Sequence, residues 1–410
     1  MTIAPTETNS RKLREPYGSS GLTPWRKFIL PIFILCLVLG SIGIIMRLVG
    51  GHLPAGYGSY VPWGLWIAIY FHGVGIAAGV FAISATGYLL GVKGFQTRTS
   101  LRVATVIVVA AMIPGLLAVA LDLGQPLRAY RLFFDPSFTS MMAFNTWMYL
   151  ILLAICVAVW LLSYRADNGW LKPFLILGGL ISIMIPSQSG AFLGVVDAKP
   201  YWNSALLPIM MLVSALVAGA AVLIVVQALI GEGGWAGVSE LKETALASLG
   251  LLRKVMLFGL MAYFLMVVAK LSIAFWNPQG NHPEITLLIF GPYWWVFWIV
   301  NVLIGGIIPF VLLLGARPAL WVLSGLIISA AFISARLDVL IPGQGVGLLK
   351  GMQEAYSHPR LSYIYNPTLM EFLVTMFILA MSIAIVYIGL RATSTFAIRN
   401  SWKEETDVID

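Results

Sequence analysis

The chain has 410 residues, of which 60% are hydrophobic and 10% are charged, with 14 Trp, 15 Tyr and 21 Phe. Average globular chains carry about 25% charged residues, so this composition excludes an ordinary soluble domain and indicates a polytopic membrane protein. The net charge of +8 does not indicate nucleic-acid binding, because the basic residues cluster at the ends of apolar segments and report membrane orientation.

A membrane-spanning helix needs roughly 20 apolar residues, and ten segments meet this condition. They lie near residues 27–49, 62–92, 101–123, 143–164, 171–192, 205–230, 249–275, 288–315, 319–340 and 369–391. The sequence therefore predicts an all-α integral membrane protein with about ten transmembrane helices. Helices 2–5 and 6–9 are expected to form two four-helix bundles, flanked by helices 1 and 10. The chain then divides into a basic tail (1–26), helix 1 with its loop (27–61), the first bundle (62–204), the second bundle (205–340), an outer loop (341–368) and helix 10 with its tail (369–410).

Basic residues are unevenly distributed between the two sides of these segments. Most of the 25 lysine and arginine residues fall on the side that carries the N-terminal tail. Because positive residues are enriched in cytoplasmic loops, both termini are predicted to lie in the cytoplasm.

Helix 2 carries a histidine inside its apolar run. Ala68, His72, Gly75 and Gly79 recur at steps of four and three, which places them on one helical face. Small residues let neighbouring helices approach closely in a membrane, so this face is predicted to point into a bundle. An intramembrane ionisable residue is a functional candidate. The alternative for His72 is a packing role in which it bonds a neighbouring carbonyl group.

Polar residues also mark the outer ends of helices 3 and 5. Asp122 ends helix 3 and is followed by a turn and Arg128, so it is predicted either to pair with Arg128 or to exchange a proton. Near the outer end of helix 5, Ser187 and Gln188 follow Pro186 and are candidates to present polar groups inward.

Helix 4 begins with Asn145 and Tyr149, which are four residues apart and share a face. Tyr149 is a candidate hydrogen-bond donor to a carbonyl group, and its alternative role is that of an interfacial anchor. Tyr70 is two residues from His72 and points to nearly the opposite side of helix 2.

These groups supply an imidazole, a carboxylate, hydroxyls and an amide among aromatic walls. A lipophilic quinone fits this set, because its carbonyl oxygens need donors and its redox chemistry moves protons. Haem is not expected, since the other histidines fall in predicted outer loops: His52, His282 and His358. Cys36 and Cys156 do not supply the four thiolates of an iron–sulfur cluster.

The second half of the chain has its own in-membrane or boundary polar residues: Lys270, Asn301, Arg336, Asp338 and Glu371. One hypothesis assigns them to a proton or ion path. For Lys270 and Arg336 we favour snorkelling, in which a long side chain extends from a helix end toward the headgroups.

Five segments carry a resemblance to a known family: VPWGLWIAIY, VGIAAGVF, LDLGQPLRAYRL, SQSGAFLG and WNSALLPIMMLVSAL. Over roughly residues 27–391 the chain resembles the NrfD-like membrane subunits of polysulfide-reductase-type complexes in their ten-helix form. The resemblance implies a haem-free, quinone-reactive anchor that binds an iron–sulfur subunit of the ferredoxin-like type, with a molybdopterin-type or other redox catalytic subunit beyond it. Some members carry the helix-2 histidine two positions earlier, where this chain has Tyr70, and a tyrosine where it has Gln188.

The sequence therefore predicts a subunit that exchanges electrons between menaquinone or ubiquinone and a periplasmic-side iron–sulfur subunit, with no metal site of its own. His72 and Asp122 are the predicted proton-handling residues, with Tyr70, Tyr149 and Gln188 as quinone contacts and Arg128, Ser187 and Asn145 as supporting residues. The alternative functions are a proton- or ion-translocating transporter module and a purely structural membrane anchor.

Overall fold

The computed structural model describes residues 24–135, 137, 139–165, 169–230, 243–276, 282–349, 351–355, 358 and 361–406. Ten helices within these residues are long and apolar enough to cross a membrane, and every regular element described is helical. We number them α1 (Pro24–Gly50), α2 (Leu65–Leu89), α3 (Arg98–Asp122), α4 (Met141–Leu162), α5 (Leu171–Gly194), α6 (Leu206–Ile230), α7 (Glu243–Trp276), α8 (Val296–Leu314), α9 (Pro318–Gln344) and α10 (Leu369–Thr406). The predicted ten-helix, all-α membrane protein is confirmed. The first 23 residues of the predicted basic tail lie outside the described part of the chain.

The eighth helix begins later than the sequence predicts. A short helix, His282–Ile289, precedes a turn that contains Gly291 and Pro292, and α8 begins only at Val296. Proline disfavours helical backbone in the residue before it and has no N–H to donate, which separates the two helices. The first part of α8, Val296–Ile307, is wound as a π-helix, and Ile308–Leu314 continues as an α-helix.

Two further helices differ from their predicted bounds. α9 consists of Pro318–Ala331 and Ile333–Gln344, which meet at Phe332, so it ends later than predicted. α10 continues to Thr406, well past the apolar segment from which it was predicted. The apolar run fixes where a helix crosses the membrane. Beyond the bilayer the helix can continue through polar residues that also favour helical backbone.

α2 is the central helix of the described fold. It packs against α3, α5, α6 and the second part of α9, while α1 packs along α10 and α10 packs on α3. The glycine face of α2 meets α6 so closely that a Cβ atom on Gly219 would lie 2.5 Å from the carbonyl carbon of Gly79. The small-residue stripe therefore points at other helices. The predicted grouping assigns α2 and α6 to different bundles, and these two helices are in direct contact. The division into two bundles therefore stays a prediction.

Successive helices place five connecting segments on one side of the membrane. Their described residues are 51–64, 123–135, 137, 139–140, 195–205, 282–295, 345–349, 351–355, 358 and 361–368, and we name this side the loop face. The start of α1 and the end of α10 lie on the opposite side. The outer loops of the sequence prediction therefore all belong to the loop face.

Candidate functional site

Two tyrosines meet between α2 and α4. The hydroxyl oxygens of Tyr70 and Tyr149 are 2.6 Å apart, and the two rings meet edge to face with centroids separated by 6.0 Å. Ser189 of α5 also interacts with the Tyr149 hydroxyl group. Tyr149 is buried, so helix packing holds its hydroxyl group inside the protein. An interfacial anchor would instead place that group among the headgroups.

Asn145 lies one turn before Tyr149 on the same face of α4. This helix begins at Ser140, whose side chain accepts a hydrogen bond from the Ala143 backbone N–H group and so fixes the register of the first turn. Asn145 is buried, and its Oδ1 atom has no hydrogen-bond partner in the described part of the chain. Such an orphaned amide oxygen, one helical turn from Tyr149, fits a ligand that carries a hydrogen-bond donor.

His72 lies on the other side of α2. Its Nε2 atom is 2.8 Å from the carbonyl oxygen of Ser329 in α9, and the side chain is only 5% exposed. The carbonyl can only accept, so Nε2 carries the proton and Nδ1 presents a lone pair. Nδ1 is buried and has no protein partner among the described residues. The geometry matches the packing role considered for His72, and it separates His72 from the tyrosine pair.

Asp122 ends α3 at the loop face. Its Oδ1 atom is buried without a hydrogen-bond partner in the described residues, and it interacts electrostatically with Glu371 and Arg47. Arg128 is exposed in the short turn Pro126–Arg128, and no ion pair joins it to Asp122 in the described part of the chain. The cation near Asp122 is thus Arg47 of α1, because the turn after α3 carries Arg128 to the surface.

The remaining predicted contacts on α5, Ser187 and Gln188, do not bond the tyrosine pair in the described chain. Ser187 is half-buried and donates a hydrogen bond to the carbonyl oxygen of Ile183, 2.9 Å away in its own helix. Gln188 is also half-buried, and no hydrogen bond joins it to Tyr70 or Tyr149 in the described chain. On α5 it is Ser189, which sequence reasoning did not select, that reaches Tyr149.

A loop-face network joins the ends of α1 and α3, and the sequence analysis did not find it. Arg47 donates to the carbonyl oxygen of Leu121 at 2.8 Å and to Nε2 of His52 at 2.7 Å, while Nδ1 of His52 is 2.6 Å from the Tyr57 hydroxyl. Burial, and then the Arg47 charge, lower the pKa of His52. Burial, and then the Asp122 charge, raise the pKa of Tyr57. His52 is therefore a neutral bridge that accepts from Arg47 and donates to Tyr57.

Glu371, which had no evident partner from sequence, anchors the start of α10. It is fully buried, and it accepts hydrogen bonds from the Tyr365 hydroxyl at 2.7 Å, the Thr368 N–H group at 2.8 Å and the Gly56 N–H group at 3.1 Å. The Tyr365 hydroxyl in turn accepts from the Leu65 N–H group at 2.7 Å. The carboxylate thus ties the loop before α2 to the first turn of α10.

The snorkelling interpretation of Lys270 and Arg336 is wrong. Lys270 is 7% exposed and its Nζ atom lies 3.4 Å from the ring centroid of Tyr201, while Arg336 is 3% exposed and donates to the Met211 sulfur atom. Both side chains turn into the protein because neighbouring helices cover these faces of α7 and α9. Snorkelling requires a face that is open to lipid.

Comparisons with known proteins agree with this architecture. The family model described as "Polysulphide reductase, NrfD" matches residues 55–348. A selenate reductase subunit of Mesobacillus selenatarsenatis is 28% identical over 389 residues, which cover 84% of this chain and 89% of that protein. The Hdr-like menaquinol oxidoreductase integral membrane subunit of Archaeoglobus fulgidus is 25% identical over 357 residues, which cover 82% of this chain and 85% of that protein. Protein NrfD of Escherichia coli is 24% identical over 275 residues, which cover 61% of this chain and 83% of that protein. Because the family match spans well over half of the chain and includes α2 to α9, the chain belongs to the NrfD family of polysulphide reductase membrane subunits.

Proposed function

We propose that this chain is the haem-free, quinone-reactive membrane subunit of a multi-subunit respiratory oxidoreductase. The observation that carries the proposal is the Tyr70–Tyr149 hydroxyl pair, together with the orphaned Asn145 amide oxygen one helical turn from Tyr149. The identities of the relatives support it, because one is a menaquinol oxidoreductase membrane subunit and another belongs to a selenate reductase. Menaquinone or ubiquinone is the proposed substrate.

The three side chains match both redox forms of a quinone. A quinone carbonyl oxygen accepts a hydrogen bond from a tyrosine hydroxyl, and a quinol hydroxyl donates to the Asn145 oxygen. Tyr70 and Tyr149 thereby orient the ring, and Gln188 and Ser187 on α5 are proposed as further polar contacts. His72 and Asp122 are the proposed proton-exchanging residues, although neither bonds the tyrosine pair directly.

The loop face is the proposed docking surface for the electron-transfer partner. It carries the Arg47–His52–Tyr57 network, Asp122, and an open cavity of about 270 Å³ lined by residues that include Trp63, Lys199 and Tyr363. We assign this face to the periplasmic side and both termini to the cytoplasm, since most basic residues lie on the terminal side. The partner is an iron–sulfur, ferredoxin-like subunit that passes electrons to a molybdopterin-type or other catalytic subunit.

The test compares Tyr149→Phe with Tyr88→Phe in the intact purified complex. Tyr88 lies near the opposite end of α2, so its replacement is the same chemical change away from the site. We expect Tyr149→Phe to weaken binding of a quinone analogue and to lower quinone-linked electron transfer about tenfold, the effect of one lost hydrogen bond. Tyr88→Phe is expected to change neither.

Two results would reject the proposal in favour of its alternatives. A wild-type complex that neither contains quinone nor binds quinone analogues would indicate a purely structural anchor. Solute or ion uptake by proteoliposomes that contain this chain without any redox partner would indicate a transporter module.

A further inference from the structure

A second group of buried polar side chains lies outside the tyrosine site, on α7, α8, α9 and the short helix His282–Ile289. Its members are Lys270, Glu284, Asn301, Arg336 and Asp338, each more than nine-tenths buried. Each has one buried polar atom without a protein partner among the described residues: Lys270 Nζ, Glu284 Oε2, Asn301 Oδ1, Arg336 Nε and Asp338 Oδ1. Buried polar atoms are nearly always satisfied by protein or by water. A series of five such atoms is therefore typical of a hydrated or proton-exchanging region.

The series begins at the loop face. Lys199 lines the open cavity there, and its Nζ atom donates to the carbonyl oxygen of Val346 at 2.9 Å. Glu284 interacts electrostatically with both Lys199 and Lys270. Burial raises the pKa of Glu284 and lowers the pKa of Lys199, so both groups are shifted toward their neutral forms. Glu284 thus links the cavity-lining Lys199 electrostatically to Lys270.

The middle of the series connects α7 to α8 and α9. Lys270 Nζ lies against the Tyr201 ring, whose hydroxyl donates to the Asp338 carbonyl oxygen at 2.6 Å, and Lys270 also interacts electrostatically with the Asp338 side chain. The Asn301 amide donates to the Asp338 carboxylate and, at 3.3 Å, to the Tyr263 hydroxyl. The π-helical start of α8 places Asn301 at this junction.

The inner end reaches the tyrosine site through a small cavity. Arg336 lines this cavity together with Gly75 of α2, Ser189 of α5 and Met211 of α6. Its volume of about 10 Å³ is close to the space that one water molecule needs. Ser189 also interacts with Tyr149. A single water-sized space therefore lies between Arg336 and Ser189, and Ser189 in turn interacts with Tyr149.

This polar series opens to one side of the membrane. With a rise of 1.5 Å per residue, Lys270 lies about 9 Å and Arg336 about 12 Å from the loop-face ends of their helices. Every buried lysine, arginine, histidine, aspartate or glutamate in the described residues lies in this half of the membrane. Toward the terminal side, the buried polar side chains are hydroxyls, such as those of Ser84, Thr105 and Ser324.

We propose that Glu284, Lys270 and Asp338 form a one-sided proton route between the loop face and the Tyr70–Tyr149 pair, with the Arg336 guanidinium lining the water-sized space at its inner end. The inference rests on the proposed quinone function. Reduction of a quinone by two electrons takes up two protons, and oxidation of the quinol releases two, while the electrons pass from or to the iron–sulfur partner. The route exchanges these protons with the loop face, and it ends at the tyrosine pair rather than crossing the membrane.

The experiment replaces Asp338 with Asn in the intact complex, which removes the exchangeable proton and keeps an oxygen to accept from Asn301. We expect unchanged binding of a quinone analogue, but a loss of quinone-linked turnover of about tenfold or more with an enlarged solvent isotope effect. Asp338→Glu is expected to restore most of the turnover. Tyr88→Phe is the control, because Tyr88 lies near the opposite end of α2, away from the loop face; it should leave turnover unchanged.

Lys270→Met provides a second variant that retains the apolar stem, and it is expected to show the same loss of turnover with intact binding. The proton route would be overturned if either variant bound the analogue and turned over within about twofold of the wild type, less than the usual effect of removing a proton-transfer group. Failure of the wild-type complex to bind a quinone analogue would instead overturn the proposed function itself.

Discussion

The hydroxyl oxygens of Tyr70 and Tyr149 lie 2.6 Å apart, so one hydrogen bond joins the centre of the fold, α2, to the peripheral helix α4. Asn145 lies one turn from Tyr149, and Ser189 approaches it from α5. This arrangement makes the two tyrosines a unit, because each hydroxyl orients the other before a ligand binds.

We expect the effects of Tyr70→Phe and Tyr149→Phe on the affinity for a quinone analogue to be non-additive. Each single change breaks the same hydrogen bond and should weaken binding about tenfold, whereas the double variant should lose little more than a single variant. Titration of the four complexes measures the coupling. Losses that simply multiply would show that the two hydroxyls act independently.

The contact between α2 and α6 predicts that Gly219→Ala destabilises the fold. The new Cβ atom would lie 2.5 Å from the Gly79 carbonyl carbon, and relief of such overpacking typically costs about 1–3 kcal/mol. Thermal unfolding of the purified protein in detergent should show a lower midpoint. Gly179→Ala is the control, because a Cβ atom there meets nothing within 4 Å; an equal loss of stability in both variants would contradict the close approach.

The Glu371 network predicts that Glu371→Gln loosens the loop before α2. The glutamine amide nitrogen would face an N–H donor of Gly56 or Thr368, or the Tyr365 hydroxyl, and the lost charged hydrogen bonds should cost about 2 kcal/mol. We expect a lower unfolding midpoint and faster proteolysis within residues 50–64. Asp135→Asn, at an exposed loop-face carboxylate, should leave both unchanged; unaltered proteolysis in Glu371→Gln would exclude an anchoring role.

The His52 bridge predicts that stability decreases in mildly acidic solution. Burial and Arg47 lower the pKa of His52 below its value of 6.5 in the unfolded chain, so the unfolded state binds the proton more readily. The stability that neutral His52 contributes is therefore fully present above pH 6.5, and it is lost as the pH falls through the lowered pKa of the folded state. Charged groups that face the bridge are Arg47 of α1 and, through Tyr57, Asp122 of α3 and Glu371 of α10.

The measurement is the difference in unfolding midpoint between the wild type and His52→Gln from pH 7.5 to 5. Other groups titrate alike in both proteins and cancel. We expect the wild type to lose more stability than the variant across the range from about pH 6.5 downward. A difference that stays constant with pH would show that His52 keeps its protonation state.

The sequence determined the features that depend on local periodicity. Ten apolar runs of membrane length became ten helices. The 3.6-residue period correctly placed Gly79 toward other helices, Asn145 beside Tyr149, and Tyr70 on the side of α2 away from His72. A single helix fixes these relationships, because its geometry does not depend on its neighbours.

Only the tertiary structure decided which groups meet. His72 bonds Ser329, 257 residues away, and Glu371 bonds Gly56, 315 residues away. Lys270 and Arg336 have local patterns that suit a lipid-facing helix end, yet distant helices cover them. In a membrane protein the apolar pattern is similar on lipid-facing and protein-facing surfaces, because lipid tails are as apolar as a packed core. The sequence therefore specifies where each helix crosses the membrane, whereas the packing of helices distant in sequence decides which of its faces is buried.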